Sequence, residues 1–443
     1  MRSPILRISE GFPTEFQKNT APRVREIRIP HRDKVQSKSV SSASSNPEIG
    51  LAAPVNCGGR ALAGFLLSGF LLALLGAVLP KWGYGRVEDP SDFVAVGNCF
   101  LSLAVGIVAA AVLARRVMAR WGVAFLLMFG CCLSCVSLLY LAWAGPPHSA
   151  WWRAGGLLAL GTGAGLVNMA LFYAISKRYQ AAPAATVNLG GVWYGLGCLT
   201  ATLLVAGTFY AYTETTILIF MAVVPAVFAV LYGRSSLVFP QKGAHPTLRQ
   251  ALEDFRSPGA VMFALLLFFQ FGNEWSVAGW LPLFLIRRIG VSPSAALLIL
   301  ALYWACLMGG RLVAVAILPR VRHRRLLLWS VAASLFGCLV LFFTDNQFGA
   351  SMGVVFLGCG YASIFPLVAE AIGRRFPYYH PGFFNGIFSL ALLGGLLAPA
   401  SLGYAASLLG VGVVVVIGIP LIGTCLVMIL LVSIWLEAKV TGR

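Results

Sequence analysis

Two charged side chains, Glu274 and Arg311, sit in stretches otherwise fit only for lipid or tightly packed protein, and they are where chemistry is most to be expected. Glu274 lies in Phe268-Phe269-Gln270-Phe271-Gly272-Asn273-Glu274-Trp275, and Arg311 follows Gly309-Gly310 in a run that is apolar from Ala295 to Leu318. A charge at the centre of a bilayer costs about 3 kcal/mol on insertion scales, so it faces a bundle interior or a watery cavity. Gln270 stands one helical turn before Glu274, and with Asn273 it extends a polar face. Counted from the outer helix ends at about 1.5 Å per residue, Glu274 lies about 13 Å deep and Arg311 about 25 Å. A gap of about 12 Å on that count rules out a direct bridge, so each charge is expected to meet a separate partner, water or substrate. Glu274 is therefore expected to bind the hydroxyls of a small-molecule substrate or to carry a coupling proton or cation. Glu370, the third acidic or basic residue in an apolar stretch, stands four residues before Arg374, where a structural pair along one helix face is expected.

The elements that must hold these residues are membrane spans. At 443 residues, 59% hydrophobic and 11% charged, the chain does not have the composition of a water-soluble fold. A spanning helix needs roughly 20 mostly apolar residues, and twelve such stretches are predicted: 61–80, 93–114, 123–144, 154–175, 187–210, 215–233, 260–283, 294–318, 326–344, 349–373, 383–407 and 411–436. Fifteen Lys and Arg residues fall in the loops on one side, among them Arg115, Arg116, Arg178, Arg320, Arg324 and Arg374. Five, namely Lys81, Arg86, Arg153, Arg287 and Arg288, fall on the other. Basic loops stay cytoplasmic, so both termini are expected inside, in a plasma or inner membrane. The net charge of +18 then reports topology and not nucleic-acid binding. Arg287-Arg288 is the local violation of the rule.

Other chemistries find little support. The five histidines, His31, His148, His245, His323 and His380, all fall in predicted tails or loops without an acidic partner, which argues against an enzyme. There is no Gly-x-x-x-x-Gly-Lys-Ser/Thr loop for nucleotide phosphates. Nine of the ten cysteines fall in spans and read as small packing residues, and Cys131-Cys132-x-x-Cys135 lacks the further ligands a metal site needs. No metal and no cofactor are expected, and the protein is expected to be a monomer in the lipid bilayer.

Along the chain, residues 1–57 form a polar, basic tail without the apolar core of a signal peptide. Residues 58–234 hold the first six spans, and 438–443 form a short tail after the last. Between the halves, 235–257 is polar, and a capping box from Thr247 to Gln250 predicts a short amphipathic helix on the cytoplasmic face. The second half, 258–437, repeats the first. Gly156, Gly161, Gly163, Arg178, Asn188 and Gly197 recur as Gly353, Gly358, Gly360, Arg375, Asn385 and Gly394, all at an offset of 197. Spans four and five thus correspond to ten and eleven, and a parallel repeat of six helices places a substrate site between the halves near the midplane. The fold class is an all-α membrane protein of two pseudo-symmetric six-helix halves.

This plan resembles the major facilitator superfamily, and within it the fucose-permease-like sugar transporters. The residues that carry the likeness are Gly310-Arg311-Leu312 with Leu318-Pro319-Arg320 and Arg322-His323-Arg324-Arg325, Ser363-Ile364-Phe365-Pro366, Gly394-Gly395 with Pro399 and Gly403, and Gly272-x-Glu274 followed by Trp280. The resemblance implies alternating access between the halves and a sugar as cargo; Arg311, Arg320, Glu370 and Arg374 are expected to serve in gating or as structural anchors. The carboxylates that relatives carry in spans one and four have no counterpart here; span four offers Asn168. Trp82, Trp193, Tyr194, Tyr303 and Trp304 could stack on a sugar ring. Asn168, Asn188, Gln270, Asn273 and Asn385 could hold its hydroxyls. An exporter of drugs or metabolites with the same fold is the alternative.

Overall fold

The computed structural model of the protein describes residues 57–84, 90–145, 150–181, 183–234, 255, 257–318, 320–375, 387–410 and 412–440. The tail, nearly all of the central linker with its predicted amphipathic helix, and Asn385 lie outside the described residues. One compact unit, Pro54–Arg443, contains all the described helices. The helices are α1 (Cys57–Val78), α2 (Pro90–Trp143), α3 (Ala150–Ala181), α4 (Pro183–Thr208), α5 (Glu214–Gly233), α6 (Pro258–Phe284), α7 (Pro293–Ile317), α8 (His323–Phe343), α9 (Gln347–Arg375), α10 (Ile387–Leu409) and α11 (Val415–Val440). All eleven are long and apolar enough to cross a membrane.

Helix α2 is 54 residues long, about 80 Å at helical rise, which is too long for one crossing. It breaks at Gly122, whose φ of +84° is readily reached only by glycine. Its two arms are the second and third predicted spans, so twelve spans result, as expected. Helix starts follow their capping residues: the Ser292 hydroxyl accepts from the Ala295 amide with Pro293 at the first helical position, and Thr213 accepts from Thr216. The seventh span departs from its predicted end. Past Pro282 the helical run of α6 continues as a π turn, Leu285–Ile289, and stops at Gly290 in the left-handed conformation.

The bundle gathers its few polar side chains inside a largely apolar interior and is apolar on its outer surface. Gln270, Asn273, Glu274, Arg311 and Asn168 are buried, whereas Val112, Leu312, Val313, Phe343 and Ile422 face outward. That polarity is what a multi-pass membrane protein requires.

The internal repeat reappears in the packing contacts. Gly161 sits against the Leu103 carbonyl and Gly358 against the Tyr303 carbonyl; Gly163 and Gly360 rest on Ser134 and Ser334; Gly197 and Gly394 rest on the carbonyls of Leu66 and Phe268. Small residues let backbones approach in lipid, where apolarity alone does not drive helices together. The halves meet along α4 with α7, and along the first arm of α2 with α10. There Gly195 lies over Met308, and Gly97 over the Ala400 carbonyl.

These contacts set an expectation for two matched substitutions. A methyl group at Gly197 or Gly394 would run into a backbone carbonyl that cannot yield, whereas nothing lies within 4 Å of one at Gly207. Gly197→Ala and Gly394→Ala should each destabilise by about 1–3 kcal/mol or more. Gly207→Ala should be neutral or slightly stabilising, and melting curves of the purified protein in detergent measure all three.

Candidate functional site

Glu274 and Arg311 meet. The Arg311 Nη2 lies 3.8 Å from Glu274 Oε1, with the two side chains only 7% and 6% exposed. This corrects the expectation that depth keeps them apart, and the cause is the π turn. With the outer end of the seventh span at Ile289, Glu274 is 15 residues from its end, while Arg311 is 18 residues from Pro293 at the start of α7. The depths then differ by only about 5 Å, which an arginine side chain bridges. The guanidinium reaches across the interface between the halves, where its Nη1 occupies the space that a side chain at Gly191 of α4 would need. Glu274 Oε2 and Arg311 Nε find no hydrogen-bond partner.

The pair forms part of the wall of a cavity between the halves, open at its mouth. Aromatic and aliphatic side chains make most of that wall. Phe65 and Phe172 contribute from the first half, in an edge contact at 5.5 Å, and Phe271, Phe365 and Phe388 form a cluster in the second with centroids 4.8–6.4 Å apart. Tyr194 and Trp275 line it too, and with Leu72 they separate it from a smaller cavity walled by Trp304, Phe100 and Gly279.

The expected polar lining is mostly absent. Asn168 does line the cavity, but its Oδ1 accepts from the Ser68 hydroxyl at 2.8 Å and its Nδ2 donates to the Ala164 carbonyl. Asn273 turns away: its Nδ2 donates to Thr424 at 3.3 Å, in a chain that continues to Tyr361, so it ties α6 to α11. Gln270 is fully buried beside the Glu274 carboxylate, and beyond that contact its amide atoms find no partner. Asn188 is buried with an unpartnered Oδ1 and is absent from the wall. Of the aromatics expected to stack on a substrate, Tyr194 takes that place in the wall; Tyr303 donates to the Glu274 carbonyl at 3.4 Å, and Trp82 lies under Arg153. Phe271 and Trp275, the residues the sequence reading passed over, flank Glu274 on its own helix, and that adjacency was the available signal.

Trp280 belongs to a closure and not to the cavity. It stacks between Phe93 and Phe100 of α2, at 6.3 and 5.9 Å, and its indole donates to the Pro399 carbonyl at 2.8 Å. Beyond it Arg287 of the π turn reaches Asp92 at 3.2 Å and the Tyr84 carbonyl at 3.0 Å. Arg288 pairs with Asp345. Both arginines that break the charge rule are thus neutralised locally. At the opposite end Glu370 pairs with Arg374 one turn on, as expected, and also with His323 Nε2 at 3.3 Å. Arg320 donates to the Ala316 carbonyl of its own helix end. These contacts lie within the second half and do not cross between halves. Among the described residues no cluster of metal-ligating side chains occurs.

The model of the Major Facilitator Superfamily matches residues 184–399. An uncharacterized MFS-type transporter of Yersinia pestis is 23% identical over 368 residues, covering 78% of this chain and 87% of that protein. Among solved structures, a D-xylose-proton symporter superposes with a TM-score of 0.67 at 14% identity, over 85% of this chain and 96% of the other. The nucleoside transporter NupG follows at 0.62 and 14%, over 85% and 99%. The fucose:proton symporter FucP of E. coli gives 0.56 and 14%, over 85% and 98%. The resemblance drawn from sequence is to this same superfamily, and the fold is the major facilitator fold.

The ion pair yields a stability test. Arg311→Ala leaves a buried carboxylate without its counter-ion and should cost about 3–5 kcal/mol. Glu274→Gln together with Arg311→Met removes both charges and should recover much of that loss, as read from melting temperatures in detergent.

Proposed function

We propose that this chain, with the major facilitator fold and a match to that superfamily over its central portion, is a secondary transporter moving a small solute by alternating access between its halves. The observation that carries the reading is the cavity between the halves, with a buried Glu–Arg pair in its wall. A mostly apolar pocket with a few convergent polar groups is the usual form of a small-molecule site, and an ionisable pair at membrane depth is retained for function more often than for stability. With both termini placed in the cytoplasm by the distribution of basic residues, the Trp280 and Arg287 contacts form the closed outer end. The cavity then faces the cytoplasm through Ile175, Thr186 and Phe388, which lie near the helix ends on that side.

A sugar is the cargo expected from the sequence, and xylose and fucose symporters are among the structural neighbours. The wall suits a metabolite with fewer hydroxyls better, because only one of the four described amides lines it and that one already makes two hydrogen bonds. Glu274 is the candidate for proton coupling, since it is the acidic side chain of the cavity wall.

Uptake into proteoliposomes under an imposed pH gradient tests the reading. Glu274→Gln should abolish gradient-driven accumulation and the pH dependence of uptake; unaltered accumulation and pH dependence would remove Glu274 from coupling. Orientation is checked separately: Arg324→Cys should react with an impermeant maleimide only from the cytoplasmic side, and Lys81→Cys only from outside.

A further inference from the structure

The Glu274–Arg311 pair is incompletely satisfied in a way that describes a ligand. At 3.8 Å it is long for a charge-assisted hydrogen bond. Each partner keeps one buried polar atom without a hydrogen bond, Oε2 on the carboxylate and Nε on the guanidinium. Orphaned buried polar atoms are rare in native proteins and call for a reason. Here one atom is an acceptor bearing negative charge, the other is a donor bearing positive charge, and the side chains that carry them belong to the wall of a cavity that is mostly apolar and aromatic.

We propose that the cargo is a zwitterion with an apolar body, of the kind presented by an apolar or aromatic α-amino acid. Its ammonium group engages Glu274 and its carboxylate engages Arg311, while its side chain lies among Phe271, Phe365 and Phe388. The assignment rests on the transporter reading above and deepens it. A zwitterion carries two opposite charges on adjacent groups and no net charge, so its entry completes both orphaned atoms without leaving an uncompensated charge in a low-dielectric site. A simple carboxylate would satisfy Arg311 but be repelled by Glu274, and a simple amine would do the reverse. A hexose could offer two hydroxyls to the pair. Its others would then face phenyl rings, with Asn168 already engaged by Ser68 and the Ala164 carbonyl, and each unmatched hydroxyl is costly to bury.

The test uses the full-length protein in nanodiscs and follows thermal stabilisation on titration with L-phenylalanine, phenylacetate, phenethylamine, L-fucose and D-xylose. L-Phenylalanine should bind at least about tenfold more tightly than either singly charged analogue, the effect of losing one hydrogen bond between charged groups. Neither sugar should compete with it. Glu274→Gln should weaken phenylalanine without weakening phenylacetate, a pattern that general misfolding would not produce. Tighter binding of a sugar, equal binding of a singly charged analogue, or no stabilisation by phenylalanine or leucine would each overturn the assignment. Counterflow of labelled phenylalanine in proteoliposomes separates it from the transporter reading. Binding without counterflow keeps the ligand class and sinks transport, whereas sugar counterflow without amino-acid binding does the opposite.

Discussion

Charge inside a lipid-embedded bundle has to be answered from within the protein, and the constraint is felt most at Arg311. Its guanidinium needs a counter-ion, which α6 supplies as Glu274, and it needs room, which α4 supplies by having no side chain at Gly191. The first requirement fixes the rotation of α6 about its axis and so places Phe271 and Trp275 on the cavity. The second holds α4 close to α7 across the interface between the halves. One electrostatic demand thus links three helices, and the shape of the cavity follows from it.

The rest of the architecture depends on close approach of backbones. Glycines placed against carbonyls in both halves allow helices to come together where no hydrophobic driving force exists. Aromatic stacking then joins the halves at one end of the bundle, with Trp280 of the second half held between two phenylalanines of the first. The Arg287–Asp92 pair spans the same boundary.

Much of the fold was readable from the chain. Apolar length and loop charge gave the spans, and the constant offset between glycines gave the repeat, because helix-to-helix packing in lipid writes small residues at fixed positions. The break at Gly122 fell where a cluster of arginines interrupts the apolar pattern. The site was less readable. A one-turn extension of a helix through the π segment Leu285–Ile289 is not marked by composition, since Leu-Ile-Arg-Arg-Ile looks like a loop boundary, and the depth count failed for that reason. Which way an amide points is also invisible to spacing: Gln270 and Asn273 are three residues apart, yet one leans on Glu274 and the other on Thr424.

The matched glycine contacts also let one half be read against the other at the cavity. Since Leu66 corresponds to Phe268 and Leu103 to Tyr303, the positions corresponding to Glu274 and Arg311 are Leu72 and Ala111. Leu72 lines the cavity as a plain apolar wall. The two halves therefore differ at matched positions: the second holds the Glu274–Arg311 pair, and the first presents Leu72 as a plain apolar surface. Such a division of labour would let mutations in the first copy adjust fit and size while ionic recognition stays under separate control in the second.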